Sequence, residues 1–168
     1  HCFTTSHVPM EQTHHPFVFH HVLQDLFKAI LLCFSELERQ VLGAGEILQA
    51  LGAKFLVLID GTYSDLVTGE SLLPAQLDDA GWARLIETTH RVADIARNRF
   101  GLQLVFHPHA ETHVEYEEQI ERFLRDTDPE TVDILLDTGH HAYRGGDPIS
   151  FMRKHHERIP YLHLKSVD

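Results

Sequence analysis

Val132-Asp133-Ile134-Leu135-Leu136-Asp137-Thr138-Gly139-His140 is the stretch on which the fold turns. Its first six residues read as a short buried strand that ends on a carboxylate. Downstream, a loop with Gly145-Gly146 leads to Asp147-Pro148, an N-cap followed by proline at the first helical position, and that helix is expected to end near His156. Tyr161-Leu162-His163-Leu164-Lys165-Ser166-Val167 reads as the next strand. Upstream, Asp126-Thr127-Asp128-Pro129 breaks a helix that carries Tyr116, Ile120, Phe123 and Leu124. A polar loop through His113 precedes that helix, and Leu102 to His107 is the strand before it. Gly101 closes an earlier helix, capped by Asp78 or Asp79, with the stripe Trp82, Leu85, Ile86, Val92, Ala93 and Ala96. Lys54 to Asp60 is a continuous apolar strand, followed by a loop over 61–75. Before it, a capping box at Ser35 and Glu38 opens a helix that Gly52 ends.

Helix and strand alternate with short connections, so the class is α/β, with a parallel sheet and helices outside it. Four strands are expected, and a fifth near Cys2 to Val8. The chain has 168 residues, 43% apolar and 23% charged, enough for one domain with a sizeable core. A formal charge of −11 argues against nucleic acid, which usually needs a basic face. The apolar run Phe17 to Phe34 is broken by His20, His21, Gln24, Asp25 and Lys28, so no membrane span is expected. Cys2 and Cys33 form no disulfide or zinc motif, which fits a reducing, cytoplasmic compartment. Histidine is abundant, at 15 residues.

Parallel α/β folds place their chemistry at the carboxyl ends of the strands. Those ends read Asp60; His107 and His109, with Glu111 and His113 beyond; Asp137 with His140 and His141; and His163 with Lys165. Together they form an N/O donor set suited to Mn²⁺, Co²⁺, Zn²⁺ or Mg²⁺. Alternation sends His163 and Lys165 to one face of their strand, and His107 and His109 likewise. A loop histidine is ordinarily solvated, so His113, His141, His155 and His156 are read that way, and Asp60 before Gly61 is read as a turn former. Asp137, His140 and His163 are read as functional, because an imidazole inside an apolar strand is costly without a partner.

Leu136-Asp137-Thr138-Gly139-His140 and Tyr161-Leu162-His163-Leu164-Lys165 resemble the sixth- and seventh-strand motifs of the xylose isomerase-like TIM barrels. That superfamily includes ketose 3-epimerases, inosose dehydratase and endonuclease IV. The resemblance spans about Lys54 to Asp168 and implies a (β/α)8 barrel, represented here by an incomplete barrel of four or five strands over 35–168. Residues 1–34 match poorly, as a remnant of the third strand and its loop. The chain is expected to begin mid-protein, without the first two strands, and to stop before the eighth-strand Glu of the family site. Thr127-Asp128-Pro129, Tyr143, Gly146 and Asp147-Pro148 are similar to the inosose dehydratase branch.

The resemblance implies that Asp137 and His163 are metal ligands. His107 stands where the family's fifth-strand Glu is expected, and His107, His109 and Glu111 all remain candidates there. His109 and Glu111 are otherwise substrate contacts. The implied cofactor is a divalent metal, Mn²⁺ or Co²⁺ before Mg²⁺ or Zn²⁺. It would polarise a substrate carbonyl, with His140 as acid or base and Lys165 on the developing enolate. The expected partner is a sugar or cyclitol that is isomerised, epimerised or dehydrated, with a homo-oligomer left open. The alternatives are an abasic-site nuclease like endonuclease IV, which the negative charge disfavours, and an inactive fragment.

Overall fold

The computed structural model describes residues 36–167. Ser35, the strand expected near Cys2 to Val8 and the run Phe17 to Phe34 lie outside the described residues. Helix α1 covers 36–50, followed by β1 (Phe55–Leu58), α2 (Asp79–Phe100), β2 (Gln103–Phe106), α3 (Glu117–Asp126), β3 (Val132–Asp137), α4 (Thr138–Tyr143), α5 (Pro148–His155) and β4 (Tyr161–His163). The four strands form one sheet in the order β1-β2-β3-β4, and every pair is parallel. The expected α/β architecture of neighbouring parallel strands is what the chain adopts.

The helix ends follow local chemistry. Asp78 caps α2, its side chain accepting from Gly81 N at 2.7 Å. Gly101 ends that helix in the left-handed region at φ 67, where its N–H satisfies the carbonyls of Ala96 and Arg97. Asp147 caps α5 ahead of Pro148, as the sequence predicts.

Pairing register sorts each strand into two faces. Leu104 and Phe106 of β2 and Ile134 and Leu136 of β3 face the helices, where Phe106 meets Phe123 of α3 with ring centroids 4.3 Å apart. Trp82, Val92, Ala93 and Ala96 of α2 and Ile120 and Phe123 of α3 complete this buried layer. Truncating Phe106 to alanine would cost about 3–5 kcal/mol, since no solvent reaches it. The opposite face carries Phe55, Val57, Gln103, Val105, Asp133, Leu135, Asp137, Tyr161 and His163. Strands β1 and β4 stand three spacings apart, roughly 14 Å in a flat sheet. The rings of Phe55 and Tyr161 nevertheless stack at 5.5 Å across that face, so the sheet curves inward as part of a barrel.

Three expectations are corrected. Residues 138–143, read as loop, form α4. Two turns or less leave no apolar periodicity to see, and the helix exists because the Asp137 side chain caps it. Strand β4 ends at His163 rather than Val167, because β3, its only neighbour among the described strands, ends at Asp137 opposite it. Tyr116 is the N-cap of α3 rather than a member of its apolar stripe.

Candidate metal centre

The carboxyl ends of β2, β3 and β4 place His107, Asp137 and His163 side by side. Each offers one ligand atom, and those atoms all lie within 4.8 Å of one another. Asp137 divides its carboxylate. Oδ1 accepts the N–H groups of Gly139 at 2.9 Å and His140 at 3.1 Å, which starts α4. Oδ2 is thereby turned to the inner face, with His163 Nδ1 at 3.4 Å, His107 Nε2 at 3.7 Å, His140 Nε2 at 3.9 Å and Lys165 Nζ at 2.7 Å.

Lys165 lies beyond β4, so strand alternation does not bring it here. Thr138 Oγ1 does, accepting from Lys165 N at 2.8 Å and donating to Lys165 O at 2.9 Å. Gly139 leaves room for it: a Cβ there would lie 2.8 Å from Cβ of Lys165. The ammonium also meets His140 Nε2 at 3.3 Å. An ammonium can only donate, so His140 carries its own proton on Nδ1 and presents a lone pair at Nε2.

Four imidazoles crowd this point. The His109 and His140 rings are 3.7 Å apart, and the His107 ring is 5.2 Å from His163, 5.5 Å from His109 and 5.7 Å from His140. Burial pushes the His107 pKa down to about 4, against the pull of Asp137. His107 is therefore neutral at pH 7, and its approach to Asp137 is not an ion pair. Burial and the neighbouring His109 also lower His140. For Asp137, burial alone would raise the pKa, but the Lys165 ammonium and the His140 N–H prevail and hold it at about 2. The centre thus offers a neutral His107 beside an ionised Asp137, the protonation states in which these groups bind metals.

The donor set fits a divalent cation on a second ground. His107 Nε2 and Asp137 Oδ2 are fully buried without a well-formed hydrogen bond, which proteins rarely tolerate unless something else satisfies the atoms. A cation, the Lys165 ammonium, already stands at Oδ2.

Of the residues singled out from sequence, His107, Asp137, His163, His109, His140 and Lys165 are brought together. The Glu111 carboxylate instead meets Ser64 Oγ at 2.7 Å and Arg144 Nη2 at 2.5 Å. The four histidines read as solvated divide, and only His156 is exposed. His113 is buried, with Nδ1 2.7 Å from Asp60 Oδ2 and Nε2 3.1 Å from Pro74 O. His141 is buried against Phe151, with ring centroids 4.9 Å apart, and His155 is half-buried beside Glu121. Asp60, expected as a turn former, does accept from its own following backbone at Gly61 N, 2.8 Å away, but no turn forms there and its other oxygen holds His113. Sequence reading missed Tyr63, Glu115 and Arg144, which join Glu111 in one network, and no local pattern marks them.

The model of the family described as xylose isomerase-like TIM barrel matches residues 36–168. The chain is 44% identical over 92 residues to an inosose dehydratase of Geobacillus kaustophilus strain HTA426, covering 55% of this chain and 30% of that protein. It is 33% identical over 138 residues to an inosose dehydratase of Lacticaseibacillus casei, covering 80% and 46%. It therefore spans less than half the length of these curated relatives. Among solved structures, it shares its fold with AsbF of Bacillus anthracis at TM-score 0.67 and 12% identity, over 80% of this chain and 46% of that one. It also resembles the IolI protein with a bound zinc atom, at TM-score 0.58 and 19% identity over 77% and 44%. No helix among the described residues is long and apolar enough to cross a membrane.

Proposed function

The chain belongs to the xylose isomerase-like TIM barrel family, and from that membership we propose that it carries the metal-binding residues of a sugar or cyclitol isomerase, epimerase or dehydratase acting through an enediolate. The inosose dehydratase relatives favour dehydration. The observation that carries the reading is the convergence of His107, Asp137 and His163, with the buried His107 Nε2 left without a hydrogen-bond partner. These three residues would hold a divalent ion, with Mn²⁺ or Co²⁺ suited to the N/O set. When bound, the ion supplies Lewis-acid polarisation of a substrate carbonyl.

The remaining steps belong to side chains. His140, neutral with its Nε2 lone pair facing the cluster, takes the proton from the carbon next to the carbonyl. The C–H electron pair forms the new carbon–carbon double bond, the carbonyl π pair moves onto its oxygen, and Lys165 donates a hydrogen bond to that oxygen as charge develops. Lys165 is half-exposed, and in this reading its ammonium turns from Asp137 toward substrate. Return of the proton from His140 to the former carbonyl carbon, as the neighbouring hydroxyl proton passes to the first oxygen, gives the isomer, whereas a solvent proton added to the opposite face of the deprotonated carbon gives the epimer. Transfer of the His140 proton to a departing β-hydroxyl, with loss of water, gives the dehydrated ketone. His109, whose ring centroid lies 3.7 Å from that of His140, would contact substrate hydroxyls, and the charge of −11 suits a small neutral polyol better than a polyanion.

The test is metal stripping of the whole protein, assayed on inososes and ketoses. We expect activity to vanish in chelator and return with Mn²⁺ or Co²⁺. Undiminished turnover after thorough stripping would end the proposal.

A further inference from the structure

We propose that Arg144 is a positioning residue that clamps the loop bearing His107 and His109 to the helix bearing Asp137 and His140. The inference rests on the metal-centre reading for its consequence, but the clamp is visible without it. Helix α4 begins on Asp137 as N-cap and ends on Arg144 as C-cap. The two ends of one six-residue helix thus hold the central carboxylate and a guanidinium that is only 16% exposed.

That guanidinium spans two carboxylates of the neighbouring loop. Arg144 Nη2 lies 2.5 Å from Glu111 Oε1, and Nε lies 2.5 Å from Glu115 Oε2. Glu115 is buried, and its Oε2 also accepts the backbone N–H of Glu111 at 2.7 Å, which closes the loop on itself. Tyr63 Oη donates to Glu115 Oε1 at 2.8 Å and accepts from Arg144 Nη2 at 3.2 Å, and Ser64 Oγ donates to Glu111 at 2.7 Å. Three segments that diverge from β1, β2 and β3 therefore meet on one cation.

Glu111 adds a second sign of constraint. It is the one non-glycine with positive φ among the described residues, at 67°. A side chain holds that backbone conformation only where its surroundings over-determine it, and here the carboxylate is fixed by Ser64 and Arg144. His109 and His107 lie two and four residues before it. With one cation serving two carboxylates, removing Arg144 would leave Glu111 and Glu115 repelling each other across the loop. The loop would open, and His107 would leave the position it shares with Asp137. Lysine keeps the charge but lacks the fork that reaches both carboxylates and Tyr63.

The experiment compares Arg144→Met and Arg144→Lys with Arg158→Met in the whole protein. Arg158 is the control because it joins Asp133 at the opposite end of β3. Hydrogen exchange of the 107–116 amides reads the clamp with no metal present, and Co²⁺ titration followed by its visible absorption reads the consequence. In Arg144→Met, exchange over 107–116 should accelerate about tenfold or more, with β3 and α2 unchanged. Co²⁺ affinity should fall about 10- to 100-fold, the usual effect of losing an outer support of a metal ligand. Arg144→Lys should recover part of both, and Arg158→Met should lower Tm while leaving the Co²⁺ spectrum as it was. Unchanged exchange over 107–116 in Arg144→Met would overturn the clamp, whatever the metal does. So would an Arg158→Met variant that loosens 107–116 and weakens Co²⁺ equally. Failure of the unaltered protein to bind Co²⁺ would instead remove the metal reading and leave the clamp to be decided by exchange.

Discussion

Asp133 and Asp137 sit four residues apart on the same face of β3, yet they meet opposite fates. Asp133, near the start of the strand, accepts from Gln103 Nε2 at 3.1 Å and faces Arg158 Nε at 3.4 Å. Burial dominates there and raises its pKa despite Arg158. Asp137, at the end of the strand, is more deeply buried, yet it stays ionised because an ammonium and a backbone N–H face it. One carboxylate has protein partners for its own sake, and the other leaves an oxygen among three imidazoles and an ammonium. A parallel strand therefore separates its two ends into a supporting end and a reactive end, and residue type alone does not distinguish them.

The separation can be broken most severely at Asp137. Asp137→Asn should weaken Co²⁺ binding by more than the roughly 100-fold that outer-shell changes produce, while Asp133→Asn should leave it within about twofold. Isothermal titration of both variants checks this, and equal losses would erase the distinction between the ends. Next in size, His140→Ala should lower kcat about 10²- to 10⁴-fold with Co²⁺ affinity largely kept. A collapse of affinity in that variant would make His140 a ligand rather than the base.

At the supporting end, Arg158→Met should destabilise the fold by about 3 kcal/mol in urea unfolding, because it leaves Asp133 without its cation. Adding Asp133→Asn should recover part of that loss, and no recovery would show that Arg158 acts through its bonds to the Leu124, Thr127 and Val132 segments instead.

The smallest effect is the sharpest in sign. Asp137 has a depressed folded pKa, so its stabilisation is present above the ordinary carboxylate pKa and is lost as pH falls from about 4 toward 2, amounting to about 2 kcal/mol. Asp133 has a raised folded pKa, so its contribution is present at low pH and is lost as pH rises through that raised value. Stability measured against pH in chelator should therefore change in opposite directions for Asp137→Asn and Asp133→Asn. Parallel curves would mean that the two environments are alike.

The elements with their own local chemistry were legible in the sequence. Strand β3 appeared with its observed bounds, because a six-residue stretch with four apolar residues sits between a Pro-containing break and the polar Thr138-Gly139-His140. Gly101 and Asp147-Pro148 marked helix ends through backbone conformations that few other residues adopt. The central trio was legible because its members stand at strand ends, where topology alone brings them together. What escaped was tertiary. His113 reads as solvated until Asp60, 53 residues away, is found beside it. Arg144 lies between Tyr143 and Gly145 in what reads as an ordinary polar loop, and its two carboxylates come from another segment. Glu111 was expected among substrate contacts because of its place near His109, but sequence gave no sign of the left-handed backbone that accompanies its bonds to Ser64 and Arg144.

The short helix between Asp137 and Arg144 also bears on how such a protein can vary over evolutionary time. A helix turns about 100° for each residue, so one residue inserted between these positions would swing the guanidinium away from both glutamates. The spacing from 137 to 144 should therefore admit substitutions but no change of length. The hairpin-like excursion around Val67, where the side chain is almost wholly in solvent, should lengthen and shorten freely. Natural variation in this lineage would then be written as changing letters in one segment and changing lengths in the other.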